Sequence, residues 1–178
     1  MKTFGLIGKS LLHSFSSSYF NKKFFKEEIN DADYKNFELN NISEFTDLIS
    51  KIKLSGLNVT TPYKESIIPF LDKLTPHARA IGAVNTIQFK GNKLIGHNTD
   101  TIGFSQSMQP ILNGRNKALI LGNGGASKAI QYTLKTLNIE YKIVSRNSSF
   151  DYLDISSKSI GYYDIIINTT PLGTHPKI

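Results

Sequence analysis

Short apolar runs alternate along this chain with stretches whose apolar positions recur every three or four residues. Residues 3–7 predict a strand, and residues 16–28 a helix with Tyr19, Phe20, Phe24 and Phe25 on one face. Residues 34–39 read as a second strand. Residues 43–52 set Phe45, Leu48, Ile49 and Ile52 at helical spacing, and residues 56–59 form a third strand, too short to be half-exposed. Runs 85–90 and 93–97 flank Gly91-Asn92, which suits a two-residue hairpin turn. Strands separated by amphipathic helices predict an α/β domain with a mostly parallel sheet over residues 1–99.

A second domain is expected over residues 100–178. It opens with a helix over 101–112, a polar connection Asn113-Gly114-Arg115-Asn116, and a buried-type strand at 117–121. Strands at 141–144 and 164–168 follow, which makes three strands, half of a doubly wound sheet. The expectation is a Rossmann-type domain, incomplete at its C-terminus.

Composition narrows the function classes. With 39% hydrophobic and 20% charged residues, the 178-residue chain has the balance of a folded protein, long enough for one domain or two small ones. The first strand lacks the apolar core of a signal peptide, and no run approaches the roughly 18 apolar residues of a membrane span. A cytoplasmic protein without a membrane partner is expected. Cysteine is absent, and no two of the four histidines stand at i, i+3 or i, i+4, so no metal site is expected. The net charge is +7, but three of the 21 basic residues are arginine and the lysines are scattered. That argues against a nucleic-acid partner. It leaves a solvated lysine-rich surface, or a field that attracts a carboxylate substrate and a phosphorylated cofactor.

Candidate chemistry begins where the strand at 117–121 runs into Gly122-Asn123-Gly124-Gly125-Ala126 and then a helix. In that setting Gly122 serves the tight turn, Gly124 admits pyrophosphate to the backbone, and the helix amides attract its charge. Ser127 replaces the third glycine of the pattern. An ordinary tight turn is the other reading. After residues 141–144 an NAD site commonly carries an acid for the ribose hydroxyl, yet this chain has Ser145-Arg146-Asn147, which suits a 2′-phosphate and so NADP. Arg146 also reads as a surface residue ending a strand. The Thr169-Thr170-Pro171-Leu172-Gly173 loop is expected to face the cofactor.

In the first domain, Asn58-Val59-Thr60-Thr61-Pro62-Tyr63-Lys64 joins a strand to a helix starting near Pro62. Lys64 is either solvated or a proton-transfer group. Asp100, at another strand-to-helix junction, is either a helix N-cap or a carboxylate acting with Lys64. Ser14 and Ser16 either donate to a carboxylate or cap the first helix.

Six stretches together resemble the shikimate dehydrogenase family. They are His13-Ser-Phe-Ser16, the 58–64 segment, Ala80-Ile-Gly-Ala-Val-Asn-Thr86, Gly96-His-Asn-Thr-Asp-Thr-Ile-Gly103, the 122–126 turn and Asn168-Thr-Thr-Pro-Leu-Gly173. The resemblance implies NADP-dependent reduction of 3-dehydroshikimate to shikimate, on the route to chorismate and the aromatic amino acids, by a monomer or homodimer. It assigns the carboxylate to Ser14 and Ser16, and the ring hydroxyls to Thr60, Lys64, Asn85 and Asp100, with Lys64 and Asp100 catalytic. It gives the cofactor Gly122, Asn123, Gly124, Gly125 and Ala126, then Ser145, Arg146, Asn147 and Thr170. Two departures stand out: Ser17 where the family usually has proline, and Phe150 where it often has a second arginine. Five residues follow Gly173, whereas the family continues, so a truncated chain is expected. A quinate/shikimate enzyme using NAD(P), and a non-catalytic ligand-binding module, are the alternatives.

Overall fold

The computed structural model describes residues 1–146 and 149–173. They fold as two compact units, Met1–Asn98 and Thr99–Ile178.

The first unit runs β1 (Lys2–Gly8), α1 (Ser16–Lys26), β2 (Ala32–Glu38), α2 (Glu44–Lys51), β3 (Leu54–Val59) and α3 (Tyr63–Ser66). After a 3₁₀ turn at Ile68–Phe70 come β4 (Lys73–Leu74), α4 (Pro76–Ile81), β5 (Thr86–Lys90) and β6 (Lys93–His97). The sheet order is β2-β1-β3-β5-β6-β4. Three of its five pairings are parallel (β1 with β2, β1 with β3, β4 with β6), and β3-β5 and β5-β6 are antiparallel. The hairpin turns at Gly91, whose φ of 59° needs the freedom glycine has.

Because β2 and β3 lie on opposite sides of β1, right-handed crossovers put α1 and α2 on opposite faces. Packing agrees. On the α2 face Phe45 is fully buried with Ile7, Leu57, Val59 and Ile87. On the α1 face Leu6, Leu11 and Tyr34 pack with Phe4, Phe20 and Phe24. β3 alternates between the two: Leu57 and Val59 enter the α2 core, whereas Gly56 and Asn58 line a cavity on the other side. The strand is two residues longer than its apolar run and two-sided, not buried throughout.

The predicted apolar face of α1 is narrower than its sequence suggests. Phe20 and Phe24, at i and i+4, reach the sheet, but Phe25 is 87% exposed and Tyr19 packs edge-on against Phe20 near the surface. One helix over two strands buries a single ridge. β4 and α4 carry two and six residues, too short for a period to be read from sequence.

The second unit contains α5 (Asp100–Met108), a 3₁₀ turn at Gln109–Ile111, β7 (Lys117–Leu121), α6 (Gly125–Thr136), β8 (Glu140–Val144), α7 (Ser157–Ile160) and β9 (Ile165–Asn168). Its sheet is parallel with order β8-β7-β9. The strand order therefore reverses at β7, the arrangement that opens a crevice at the carboxyl end of that strand. Met108, Ala118, Ile120, Ile130 and Leu134 form its core. Among the described residues no helix is long and apolar enough to cross a membrane.

Candidate active site

In the first unit, parallel β1 and β3 and antiparallel β5 bring their chemistry to one end of the sheet. β1 and β3 finish there, and β5 starts there, with Asn58 opposite Thr86. At the end of β1 a Cβ on Gly8 would lie 2.6 Å from Leu11 Cδ2 and 2.7 Å from Thr60 Cγ2, so glycine lets the two strand ends close. The Thr60 amide donates to the Ile7 carbonyl at 2.9 Å.

Ser14 lies in the turn between β1 and α1, and Ser16 opens α1. Ser14 Oγ accepts from the Ser16 amide at 3.3 Å, and Phe15 holds the N-cap position without a side-chain cap bond. Ser16 is the first helical residue, which corrects the reading of it as a cap: a cap precedes the first helical residue. The Ser17 hydroxyl donates to the Tyr34 carbonyl at 3.1 Å.

Lys64 is half-buried in α3, just after the cis Thr61–Pro62 bond. Its carbonyl accepts from the Val84 amide at 2.7 Å. Next to that, the Asn85 carbonyl accepts from Val59 at 2.8 Å and the Asn85 amide donates to His97 at 3.0 Å. These backbone bonds fasten the Lys64 turn, the end of β3 and buried Asn85 side by side.

Behind Asn85 runs a side-chain network that the sequence reading did not assign. Tyr34 Oη donates to Asn58 Oδ1 at 2.8 Å; Asn58 Nδ2 donates to Thr86 Oγ1 at 3.2 Å and to the Asn85 carbonyl at 3.4 Å; Thr86 Oγ1 donates to Asn85 Oδ1 at 3.0 Å. Burial pushes the Tyr34 phenol up to about 12, while the neighbouring Ser16 hydroxyl acts in the opposite sense. The signal was present as polar residues inside strands, Tyr34 in β2 and Asn58 in β3. A mostly apolar cavity of about 350 Å³ lies on the α1 face and meets this network at Tyr34, Asn58 and Thr86.

Asp100 belongs to the second unit. The N-cap of α5 is Thr99, and Asp100 is the first helical residue, which corrects its reading as the cap. It still stands in the first turn, where helix amides favour a negative side chain.

The glycine turn leaves β7 at Gly122, whose φ is 104°. A Cβ there would lie 2.7 Å from Thr169 Oγ1 and 3.0 Å from Thr170 Cγ2. At Gly124 a Cβ would meet nothing within 4 Å. α6 begins at Gly125 with no acidic residue in its first turn and no side-chain cap bond. The helix thus starts with no side chain capping its first amides, the arrangement that suits a pyrophosphate. Ser127 is fully buried where a third glycine is usual, and its hydroxyl accepts from Gln131 Nε2 at 3.1 Å, which satisfies its polarity there.

At the end of β8, Ser145 closes a loop by donating its amide to the Phe150 carbonyl at 3.3 Å, and Arg146 is exposed. Asn147 lies outside the described residues. Thr170 is held by Asn168, whose Oδ1 accepts from the Thr170 amide at 2.9 Å and hydroxyl at 2.7 Å, while its Nδ2 donates to the Leu172 carbonyl at 2.9 Å. The sequence reading quoted Asn168 in the 168–173 stretch but gave it no role of its own; it is a single amide closing the apolar run Ile165–Asn168. These residues fit NADP: an uncapped helix start, an open glycine, and a strand end carrying arginine with no acid beside it.

Comparisons with known proteins are concordant. Residues 6–87 match the family model of the shikimate dehydrogenase substrate binding domain. The chain is similar to the NADP(+) shikimate dehydrogenase of Clostridium beijerinckii, with 38% identity over 100% of this chain and 71% of that protein. It is also similar in structure to shikimate dehydrogenase 1 of Peptoclostridium difficile, with a TM-score of 0.85 and 38% identity over 100% of this chain and 70% of that one. A shikimate dehydrogenase solved in complex with NADP+ superposes with a TM-score of 0.82 at 31% identity, over 100% of this chain and 69% of that one.

Proposed function

The chain belongs to the shikimate dehydrogenase family, and on that premise we propose that it interconverts 3-dehydroshikimate and shikimate with Lys64 as the proton-transfer group. It is an NADP-dependent oxidoreductase of aromatic amino-acid biosynthesis. The observation that carries the assignment of residues is the gathering of Ser14, Ser16, Thr60, Lys64 and Asn85 at one end of the six-stranded sheet.

Reduction of the ketone needs a hydride at carbon and a proton at oxygen. Bound NADPH supplies the hydride. Lys64 Nζ donates the proton to the oxygen in reduction and removes it in oxidation, and Asp100 is assigned the second polar contact to the same hydroxyl region. Ser14 and Ser16 donate to the substrate carboxylate, and Thr60 and Asn85 bond the remaining hydroxyls. Gly122, Asn123, Gly124, Gly125 and Ala126 carry the pyrophosphate; Ser145, Arg146 and Asn147 take the 2′-phosphate; Thr170 serves the nicotinamide side. Cytoplasmic action as a monomer or homodimer, without nucleic acid or membrane, completes the proposal.

The test is the NADPH absorbance on mixing protein with 3-dehydroshikimate. Lys64→Ala is expected to lower kcat roughly a hundred- to ten-thousand-fold with binding of NADPH retained. Full turnover in Lys64→Ala would remove Lys64 from the chemistry. Ligand binding without hydride transfer by the unsubstituted chain would favour a binding module.

A further inference from the structure

The network behind Asn85 has a direction that can be worked out from one atom. The Asn85 carbonyl carries no proton, so the end of the Asn58 amide facing it must be Nδ2. Oδ1 then faces Tyr34, which has to be the donor. The second Nδ2 proton goes to Thr86 Oγ1, whose own proton reaches Asn85 Oδ1. The Asn85 side chain is therefore held with Oδ1 toward Thr86 and Nδ2 as its opposite, donating end.

Tyr34 is built to hold its place in this series. The residue is 4% exposed, and its ring stacks on Phe20 with centroids 4.6 Å apart and planes 16° from parallel. Its backbone lies on the edge strand β2, where the Asn21 side chain pairs with it as a neighbouring strand would: Nδ2 donates to the Tyr34 carbonyl and Oδ1 accepts from its amide, both at 2.9 Å. The Ser17 hydroxyl donates a second bond to the same carbonyl. The α1 helix that carries Ser16 is thereby fastened to the residue whose phenol orients Asn58.

We propose that Tyr34 is a positioning residue, whose phenol, acting through Asn58 and Thr86, sets the Asn85 amide so that its Nδ2 donates to a substrate hydroxyl. This rests on the assignment of Asn85 to the substrate. Without the phenol, Asn58 Oδ1 loses its donor beside a cavity that admits water. The amide then turns toward that water, Thr86 gives up its fixed role, and Asn85 Oδ1 loses the donor that orients it on this side.

The test compares the full chain with Tyr34→Phe, which keeps the stacked ring, and with Thr86→Val, which breaks the series one link later. Side-chain amide resonances of Asn58 and Asn85 are read by two-dimensional NMR, alongside KM for shikimate and for NADP+. Each variant is expected to move the Asn85 amide resonances and raise the shikimate KM about five- to tenfold, with kcat within about twofold and the NADP+ KM unchanged. The double variant is expected to be no worse than either single one. Unmoved Asn85 resonances in folded Tyr34→Phe would overturn the proposal, as would additive KM effects in the double variant. The resonances decide the role of Tyr34 even if Lys64→Ala contradicts the assigned chemistry, so the two readings fail separately.

Discussion

Two glycines two residues apart in the β7–α6 turn are expected to respond oppositely to the same added methyl group. At Gly122 the backbone has a φ of 104°, and a Cβ would lie 2.7 Å from Thr169 Oγ1 and 3.0 Å from Thr170 Cγ2. The threonine hydroxyl cannot swing aside cheaply, because it donates to the Leu121 carbonyl at 2.7 Å. Backbone strain of about 1–3 kcal/mol and overlap of about 1–3 kcal/mol give Gly122→Ala a cost of roughly 2–6 kcal/mol. Gly124 has a φ of −92° and nothing within 4 Å of a Cβ. Ala there loses about 1 kcal/mol as an N-cap and regains about 0.4–1 kcal/mol through the unfolded chain, so stability should change by less than about 1 kcal/mol. The methyl group would instead occupy space assigned to pyrophosphate, and NADPH affinity should fall at least about tenfold. Denaturant unfolding and calorimetric titration with NADPH measure the two effects. A Gly122→Ala protein as stable as the unsubstituted one would refute the packing argument. Unchanged NADPH affinity in Gly124→Ala would refute the placement of the cofactor.

Alkaline stability follows from Tyr34, whose proton is held up to about 12 in the fold against 10.0 for the free side chain. Because the folded value is raised, this stabilisation is complete below about pH 10 and is lost as pH rises through about 12, a change of roughly 2–3 kcal/mol. Denaturation midpoints of Tyr34→Phe should lack that part of the decline; an identical pH dependence would contradict it. Phe45, fully buried on the α2 face, should cost about 3–5 kcal/mol on replacement by alanine, measured by denaturant unfolding. Arg146→Ala should raise KM for NADPH about tenfold and leave KM for NADH unchanged, and equal effects on both would remove Arg146 from 2′-phosphate recognition.

Local pattern carried much of this molecule. Apolar runs at β1, β7 and β9, helical spacing of Phe45, Leu48, Ile49 and Ile52, and the Gly91-Asn92 turn each report a conformation that neighbouring residues decide. The ordered motifs around Ser14, Lys64, Asn85 and Gly122 were likewise legible, because chemistry at strand ends needs particular residue types at fixed spacing. The two-residue strand β4 and the exposure of Phe25 were not, the first too short to have a period and the second decided by how far one helix overhangs its sheet.

The sequence by itself determined the kinds of element, their order and the residues available for chemistry. The tertiary structure decided which of them meet. Placing β5 antiparallel beside β3 puts Thr86 and Asn85 against Asn58, and placing β2 on the far side of β1 lets Tyr34 reach Asn58 from 24 positions away. Strand partners are chosen by burying two sheet faces at once, under α1 and α2, and that requirement belongs to the whole unit rather than to any window of its sequence.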